Sequence, residues 1–340
     1  MNAPLTPESQ VNSFVVGNQT DPEIATLSDG SYVVVWTSEG QDGDGLGVIA
    51  QKFTAAGEPI GLPFIVNDNS LQNQQDPSVA ATDNGGFVVV WESQNLDAPG
   101  DGDFGIAGQA FLADGTPSGS PFQVNLVNTV RTQFDADVIG TPGGGFAVVY
   151  RDEDSGGTFV DGTRLRLYDN LGQPTGADVA LNASPVGEEF DPEITAIQPS
   201  AAAGGLVNGG FAVTWAVGSN IFAKVLATDG TEIVSQFQVN SATSSSSPEP
   251  VIVGLDGGRF VVVWRDSSGA DSSGAGVFAQ VYEGDGTAVG GEFQVNVLTS
   301  STQSEPAVAA TADGGFVISW SSNTSAGAGD GNLFGIIARR

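Results

Sequence analysis

DPEIATLSDGSYVVVW (Asp21–Trp36) decides the fold. An acid and a proline open a short apolar run. A polar turn with Asp-Gly follows, and then a β-branched run that ends in an aromatic. That is the pattern of two strands joined by a tight hairpin, with Gly supplying the positive φ of the turn. The unit recurs as DPSVAATDNGGFVVVW (Asp76–Trp91), DADVIGTPGGGFAVVY (Asp135–Tyr150), EPVIVGLDGGRFVVVW (Glu249–Trp264) and EPAVAATADGGFVISW (Glu305–Trp320). The remaining copy, Asp191 to Trp215, keeps DPEITAI and GFAVTW but stretches the turn between them with PSAAAGGLVNGG.

Outward from each aromatic, a Gly/Asp/Ser-rich loop leads to a third apolar strand: VIAQKF, IAGQAF, LRLY, IFAKVL and VFAQVY. A second turn then leads to a fourth, PFIVN, PFQVN, DVALN, QFQVN or EFQVN. Six copies of a four-stranded unit of about 57 residues are the signature of a repeat architecture whose units bury their faces on one another. The apolar runs are continuous rather than alternating, so both faces of each sheet are expected to be covered. No stretch has helical periodicity with caps. The reading is all-β: one domain spanning 1–340, a six-bladed β-propeller with four antiparallel strands per blade. The blades fall at about 21–67, 76–125, 135–182, 191–240, 249–296 and 305–340. A β-sandwich is the competing architecture. The last copy stops within its third strand, while ESQVN (residues 8–12) precedes the first DP by the spacing at which EFQVN precedes the last EP. Residues 8–12 are therefore expected to supply the outer strand of the last blade and close the ring.

Composition narrows function. With 10 Lys+Arg against 40 Asp+Glu the net charge is −30, which opposes nucleic acid and anionic membrane surfaces as partners. The chain has no Cys and no His, removing thiolate nucleophiles and the commonest general base and metal ligand. No basic and apolar leader precedes residue 16, and no apolar run is long enough to span a membrane.

The acid-Pro strand, DGG turn and VVVW strand resemble the repeat of TolB-type six-bladed propellers. The longer unit, with DGDGxGI loops and GGEFQVN endings, is similar to repeats of large secreted bacterial proteins of the RTX/adhesin kind. The resemblance implies a propeller on an extracellular or cell-surface protein; the RTX calcium nonapeptide itself is absent.

Loops from the fourth to the next first strand, and from the second to the third, share one face and vary between blades. Function is expected there. Three sets of residues belong to that face. The acids opening each innermost strand, Asp21, Asp76, Asp135, Asp191, Glu249 and Glu305, form a predicted ring at the channel mouth, either binding a ligand or capping backbone N–H groups. The loops after the aromatic carry Asp42, Asp44, Asp101, Asp103, Asp266, Asp271, Asp330 and Asn332, alternating with Gly as in calcium loops, although the EF-hand pattern fails. The aromatic row Trp36, Trp91, Tyr150, Trp215, Trp264 and Trp320 is expected to pack between blades rather than offer sugar-stacking platforms. A polar row in the third strand (Gln51, Gln109, Arg166, Lys224, Gln280, Arg339) is expected to satisfy hydrogen bonds between blades. Blade three, with Tyr150 and the charged loop at 151–162, diverges most and is the place for a private partner contact, with blade four next.

The expectation drawn from these features is a non-catalytic binding or adhesion propeller. It would recognise a glycan, peptide or cell-surface component on its acidic face, with Ca2+ as the one candidate cofactor and no organic cofactor. The alternatives are a structural subunit of a larger assembly and a carboxylate-dependent glycoside hydrolase or lyase. Catalysis is set aside at this stage because the ring acids are equivalent in every blade and no pair stands out.

Overall fold

The computed structural model describes residues 9–68, 71–96, 102–126, 132–142, 144–153, 162–182, 189–241, 248–269, 271, 274–297, 299, 302–323 and 335–340. Each β-branched run lies second in a sheet with a strand on either side, and only Thr214 and Ser319 interrupt it with a hydroxyl, in blades four and six. Blade one contains β1 (Gln19–Thr26), β2 (Tyr32–Glu39), β3 (Leu46–Phe53) and β4 (Pro59–Ile65). Blade two contains β5 (Gln74–Ala81), β6 (Phe87–Gln94), β7 (Phe104–Phe111) and β8 (Pro117–Gln123). Blade three contains β9 (Gln133–Gly140), β10 (Phe146–Asp152), β11 (Gly162–Tyr168) and β12 (Val179–Ala180). Blade four contains β13 (Glu189–Ile197), β14 (Gly210–Val217), β15 (Asn220–Leu226) and β16 (Glu232–Gln238). Blade five contains β17 (Val251–Leu255), β18 (Arg259–Asp266), β19 (Gly276–Glu283) and β20 (Ala288–Gln294). Blade six contains β21 (Gln303–Ala310), β22 (Phe316–Ser322) and β23 (Gly335–Arg339). Every sheet is an antiparallel meander in sequence order. The protein is a six-bladed β-propeller, and the described residues contain no helix.

Five apolar clusters join neighbouring blades, one each between one and two, two and three, three and four, four and five, and five and six. They hold the blades by burying apolar surface at about 25 cal/mol per Å². Among the described residues no such cluster joins blade six to blade one. Ile24 is 61% exposed there, whereas its counterparts Val79 and Ile194 are 8% and 4% exposed.

The closure expected of residues 8–12 takes a weaker form. Residue 8 lies outside the described residues. Ser9 to Asn12 lie in the seam against blade one, but they carry no strand and the sixth sheet has three strands among the described residues. The reason is visible in the other blades. There the asparagine two residues past the fourth strand accepts an N–H from the second or third residue of the third: Asn67 from Val48, Asn125 from Ile106, Asn240 from Ile221 and Asn296 from Val277, at 2.8–2.9 Å. Asn12 instead donates from Nδ2 to the Phe14 carbonyl at 2.8 Å.

The six aromatics of the second strands lie two or three residues before the strand ends and are buried, so none is a surface platform. Trp36 and Trp320 each donate their indole N–H to a glutamine of the adjacent strand, Gln19 at 3.0 Å and Gln303 at 2.9 Å. The polar row divides between contacts within a blade and contacts to the preceding one. Gln51, Gln109 and Gln280 bond backbone carbonyls within their own blades, bridging the irregularity between third and fourth strands. Only the longer Lys224 and Arg339 reach the preceding blade, at Leu181 O and Val295 O. Arg166 pairs with Asp178 of its own blade at 3.3 Å.

Candidate functional site

The acid opening each innermost strand is held in the left-handed region. Asp21, Asp76, Asp135, Asp191, Glu249 and Glu305 have φ between 47° and 52°. A non-Gly residue in that region is strained, with Asp among the side chains that tolerate it best. The strand ladder slips at the same place, between Thr20 and Glu23, Gln75 and Ser78, Phe190 and Glu193, and Ser304 and Ala307. Such a bulge re-aims side chains. It turns the ring acids to the channel mouth, where Asp21, Asp76, Asp135 and Asp191 line one cavity of about 400 Å³. Asp191 also borders an adjoining space of about 220 Å³ with Glu249 and Glu305.

The ring is partly a structural device. Asp76 N–H donates to Thr37 Oγ1 at 3.2 Å, Asp135 N–H to Glu92 Oε1 at 3.0 Å and Glu305 N–H to Glu249 Oε2 at 2.9 Å. Each of these bonds ties one blade to its neighbour. Arg265 pairs with Glu249 at 3.4 Å, and Arg151 lies 3.9 Å from Asp135 and 3.5 Å from Glu153. The Arg151 guanidinium also sits 4.7 Å from the centre of the Phe190 ring.

Two residues beyond each ring acid is a second row that the sequence reading overlooked: Glu23, Ser78, Asp137, Glu193, Val251 and Ala307. The first four line the 400 Å³ cavity. Unlike the ring, this row differs between blades, with carboxyls in blades one, three and four only. Asp137 is the best-held of them. Its Oδ1 accepts from Ser78 Oγ at 2.9 Å and Val138 N–H at 2.8 Å, and its Oδ2 from Ile194 N–H at 2.9 Å. No donor among the described residues reaches the Glu193 carboxyl.

These groups titrate far from ordinary carboxylates because the channel walls desolvate them and they repel one another. Burial, then the charges of Asp137, Glu23 and Asp191, pushes Glu193 well above the usual range. Glu23, at the open mouth, is raised to about 7 by desolvation and then by Asp137. Asp137 is raised by burial against the opposing pull of its three donors. Asp191 rises to about 6 through burial and the charges of Asp135 and Glu249, with Arg151 acting the other way. Buried Glu92 rises to about 8 through burial and then Asp76, and Gln75 Nε2 bridges those two carboxyls at 3.2 and 2.9 Å. These channel carboxyls therefore keep their protons to higher pH than exposed carboxyls do.

The proposed calcium loops are drawn together less than their spacing suggests. Asp42 accepts from Asn67 Nδ2 at 2.9 Å, Asp44 Oδ2 from Gln72 N–H at 3.1 Å, and Asp103 from Thr132 Oγ1 at 3.3 Å. Asp271 repeats the first of these contacts with Asn296 at 3.5 Å. These bonds fasten loops to neighbouring strands, and among the described residues no group of three or more acidic side chains forms a metal cluster. Asp101, Asp330 and Asn332 lie outside the described residues, as does most of the divergent loop of blade three.

No protein-family profile and no curated protein matches this sequence. Solved structures do. A Dyadobacter fermentans protein of unknown function aligns over 94% of this chain and 93% of its own, with TM-score 0.57 and 11% identity. The α-L-arabinanase of Penicillium chrysogenum, solved with arabinobiose, aligns over 96% and 94% with TM-score 0.57 and 13% identity. An α-L-arabinofuranosidase of Fusarium graminearum, solved with an iminosugar inhibitor, aligns over 89% and 87% with TM-score 0.53 and 12% identity. At such identity the likeness is one of fold. It corrects the expectation of a non-catalytic adhesion propeller and the assignment as no enzyme: the named activities among these propellers are hydrolytic and directed at glycans. Nothing in these likenesses points to RTX/adhesin or TolB-type proteins. The premise behind the earlier expectation fails too, since Glu23, Asp137 and Glu193 are the singled-out carboxyls that the equivalent ring acids are not.

Proposed function

We propose that this chain is a carboxylate-dependent glycoside hydrolase acting at the channel mouth. The observation that carries the reading is the asymmetric inner row, with Glu23, Asp137 and Glu193 on one side and Val251 and Ala307 on the other. Glycoside hydrolysis needs one carboxyl that holds its proton and another that has lost it, on either side of the scissile bond. Glu193, desolvated and without a donor among the described residues, holds its proton and gives it to the leaving oxygen. Asp137, whose two oxygens accept three hydrogen bonds, is the carboxylate that faces the anomeric carbon, where a water molecule supplies the hydroxyl that replaces the leaving oxygen. The charge of Asp137, joined by that of Glu23 once it ionises, keeps the Glu193 proton in place. This division of labour needs neither His nor Cys, which the chain lacks.

The similar propellers make arabinose-containing glycans the first substrates to try. The scarcity of Lys and Arg, with Arg151 and Arg265 already paired to ring or loop acids, favours a neutral glycan over an anionic one. The test is turnover of arabinan and of 4-nitrophenyl α-L-arabinofuranoside within a panel of neutral and sialylated glycosides. Cleavage that is lost in Glu193→Gln with the fold intact supports the reading. Absence of turnover on the whole panel, or turnover indifferent to Glu193 and Asp137, rejects it.

A further inference from the structure

At three of the five sealed interfaces, a large side chain of one blade's fourth strand covers the residue pair that opens the next blade. Phe64 lies 5.7 Å from Phe111, which stacks on Phe87 at 4.8 Å. Phe122 lies 5.6 and 5.0 Å from Phe146 and Tyr168, themselves stacked at 4.9 Å. Phe237 lies 5.2 Å from Tyr282, which stacks on Phe260 at 5.2 Å. The shorter Val179 packs against the cluster that holds Phe211 and Leu226. Blade one presents the same kind of pair, Tyr32 and Phe53, stacked at 5.0 Å with an interplanar angle of 12°. The segment that comes to it is Ser9 to Asn12, and in the repeat Ser9 stands where the others carry Phe or Val.

The missing ring leaves a space. A cavity of about 600 Å³ opens there, bordered by Ser9, Tyr32, Phe53, Pro59, Leu62 and Pro63. The turn glycines report the same vacancy. A Cβ built on Gly115, Gly172 or Gly286 would meet the covering Phe of the preceding blade within 3.6 Å, whereas one on Gly57 would meet only the Tyr32 hydroxyl. Leu62, on the rim, is 85% exposed. Residues 1–8 contain no aromatic that could fold back into the space.

We propose that this cleft is a docking site for an aromatic side chain carried on a polypeptide segment of another molecule. The stacked Tyr32–Phe53 pair is the floor, and an inserted ring makes the contacts that Phe64, Phe122 and Phe237 make elsewhere in the wheel. Offset and tilted aromatic pairs of this kind add attraction beyond simple burial. Side-chain pockets along an extended segment are a familiar source of peptide specificity. The site lies on the side of blade one that faces the seam, and it is independent of the channel carboxyls.

The test uses the full chain and two acetylated, amidated pentapeptides, EFQVN, which copies Glu292–Asn296, and its alanine form EAQVN. Titration calorimetry is expected to show saturable binding of EFQVN and at least about tenfold weaker binding of EAQVN, as loss of a buried ring requires. In Ser9→Phe the chain fills its own cleft, so EFQVN binding falls by at least about tenfold and the melting temperature rises by a few degrees. Leu62→Asp, at the exposed rim, is expected to weaken EFQVN without lowering the melting temperature. No binding of EFQVN at millimolar concentration, equal binding of the two peptides, or undiminished binding by folded Ser9→Phe or Leu62→Asp overturns the proposal.

Discussion

The two sides of the channel are built from the same repeat and do different things. In blades five and six the inner row is Val251 and Ala307, and the ring acids are turned to structural use. Glu249 accepts the Glu305 N–H and pairs with Arg265. In blades one, three and four the inner row is Glu23, Asp137 and Glu193, and the residue after the aromatic in blade two, Glu92, adds a further buried carboxyl nearby. A left-handed residue repeated six times thus fixes where a side chain will point, and the residue two positions on decides whether that direction is used. Repetition makes the scaffold; the departures from it make the chemistry.

The largest effect that would break this contrast is on turnover. Asp137→Asn and Glu193→Gln are each expected to lower kcat by about 10²–10⁴-fold, the usual range for losing an acid or base group, with the melting temperature little changed in Glu193→Gln and lowered in Asp137→Asn, whose amide nitrogen meets a donor. Glu249→Gln and Glu305→Gln on the other side are expected to change kcat by less than about tenfold on the same scale. Equal losses on both sides would erase the distinction.

A smaller effect follows from moving charge across the channel. Val251→Glu places a fourth carboxyl beside Glu193, and like-charge repulsion raises the proton affinity of its neighbours. The basic limb of the pH–rate profile is expected to move to higher pH. A shift to lower pH would contradict the assignment of Glu193 as the group that must hold a proton.

Stability should change least and in one direction. Glu23 and Glu92 are raised from 4.5 to about 7 and about 8, so between those values the folded chain holds protons that the unfolded chain has released. Their contribution is fully present below about pH 4.5 and is lost as pH rises through 7 and 8. The melting temperature is therefore expected to fall from pH 5 to pH 8, and Glu92→Gln to flatten that slope, as measured by calorimetry. A melting temperature that rises over this interval would reverse the sign of the argument.

Much of this was legible in the sequence, and what was not has a physical reason. The strands could be read because hairpin turns and β-branched runs are local signals, and six imperfect copies of one pattern outweigh any single ambiguity. The ring acids were legible as a row, but not their strained φ, since Asp before Pro is compatible with several turns. The inner row stayed hidden inside strands that read as apolar, where Glu23 and Glu193 looked like ordinary variation in DPEI. The usable signal was the contrast at one repeat position, acidic in three blades and Ser78, Val251 or Ala307 in the others. Closure by residues 8–12 was legible in spacing, yet Ser9 lacks the ring that anchors Phe64, Phe122 and Phe237, and spacing alone does not weigh side chains.

The most direct test of the account is the protonation of Glu193. With carboxyl-¹³C glutamate incorporated throughout, the difference between the spectra of the parent chain and Glu193→Gln isolates its resonance. The account predicts a Glu193 carboxyl still protonated at pH 7 beside an Asp137 that Asp137→Asn shows, with ¹³C aspartate, to have ionised at lower pH. A Glu193 resonance that titrates near 4.5, like an exposed glutamate, would contradict it.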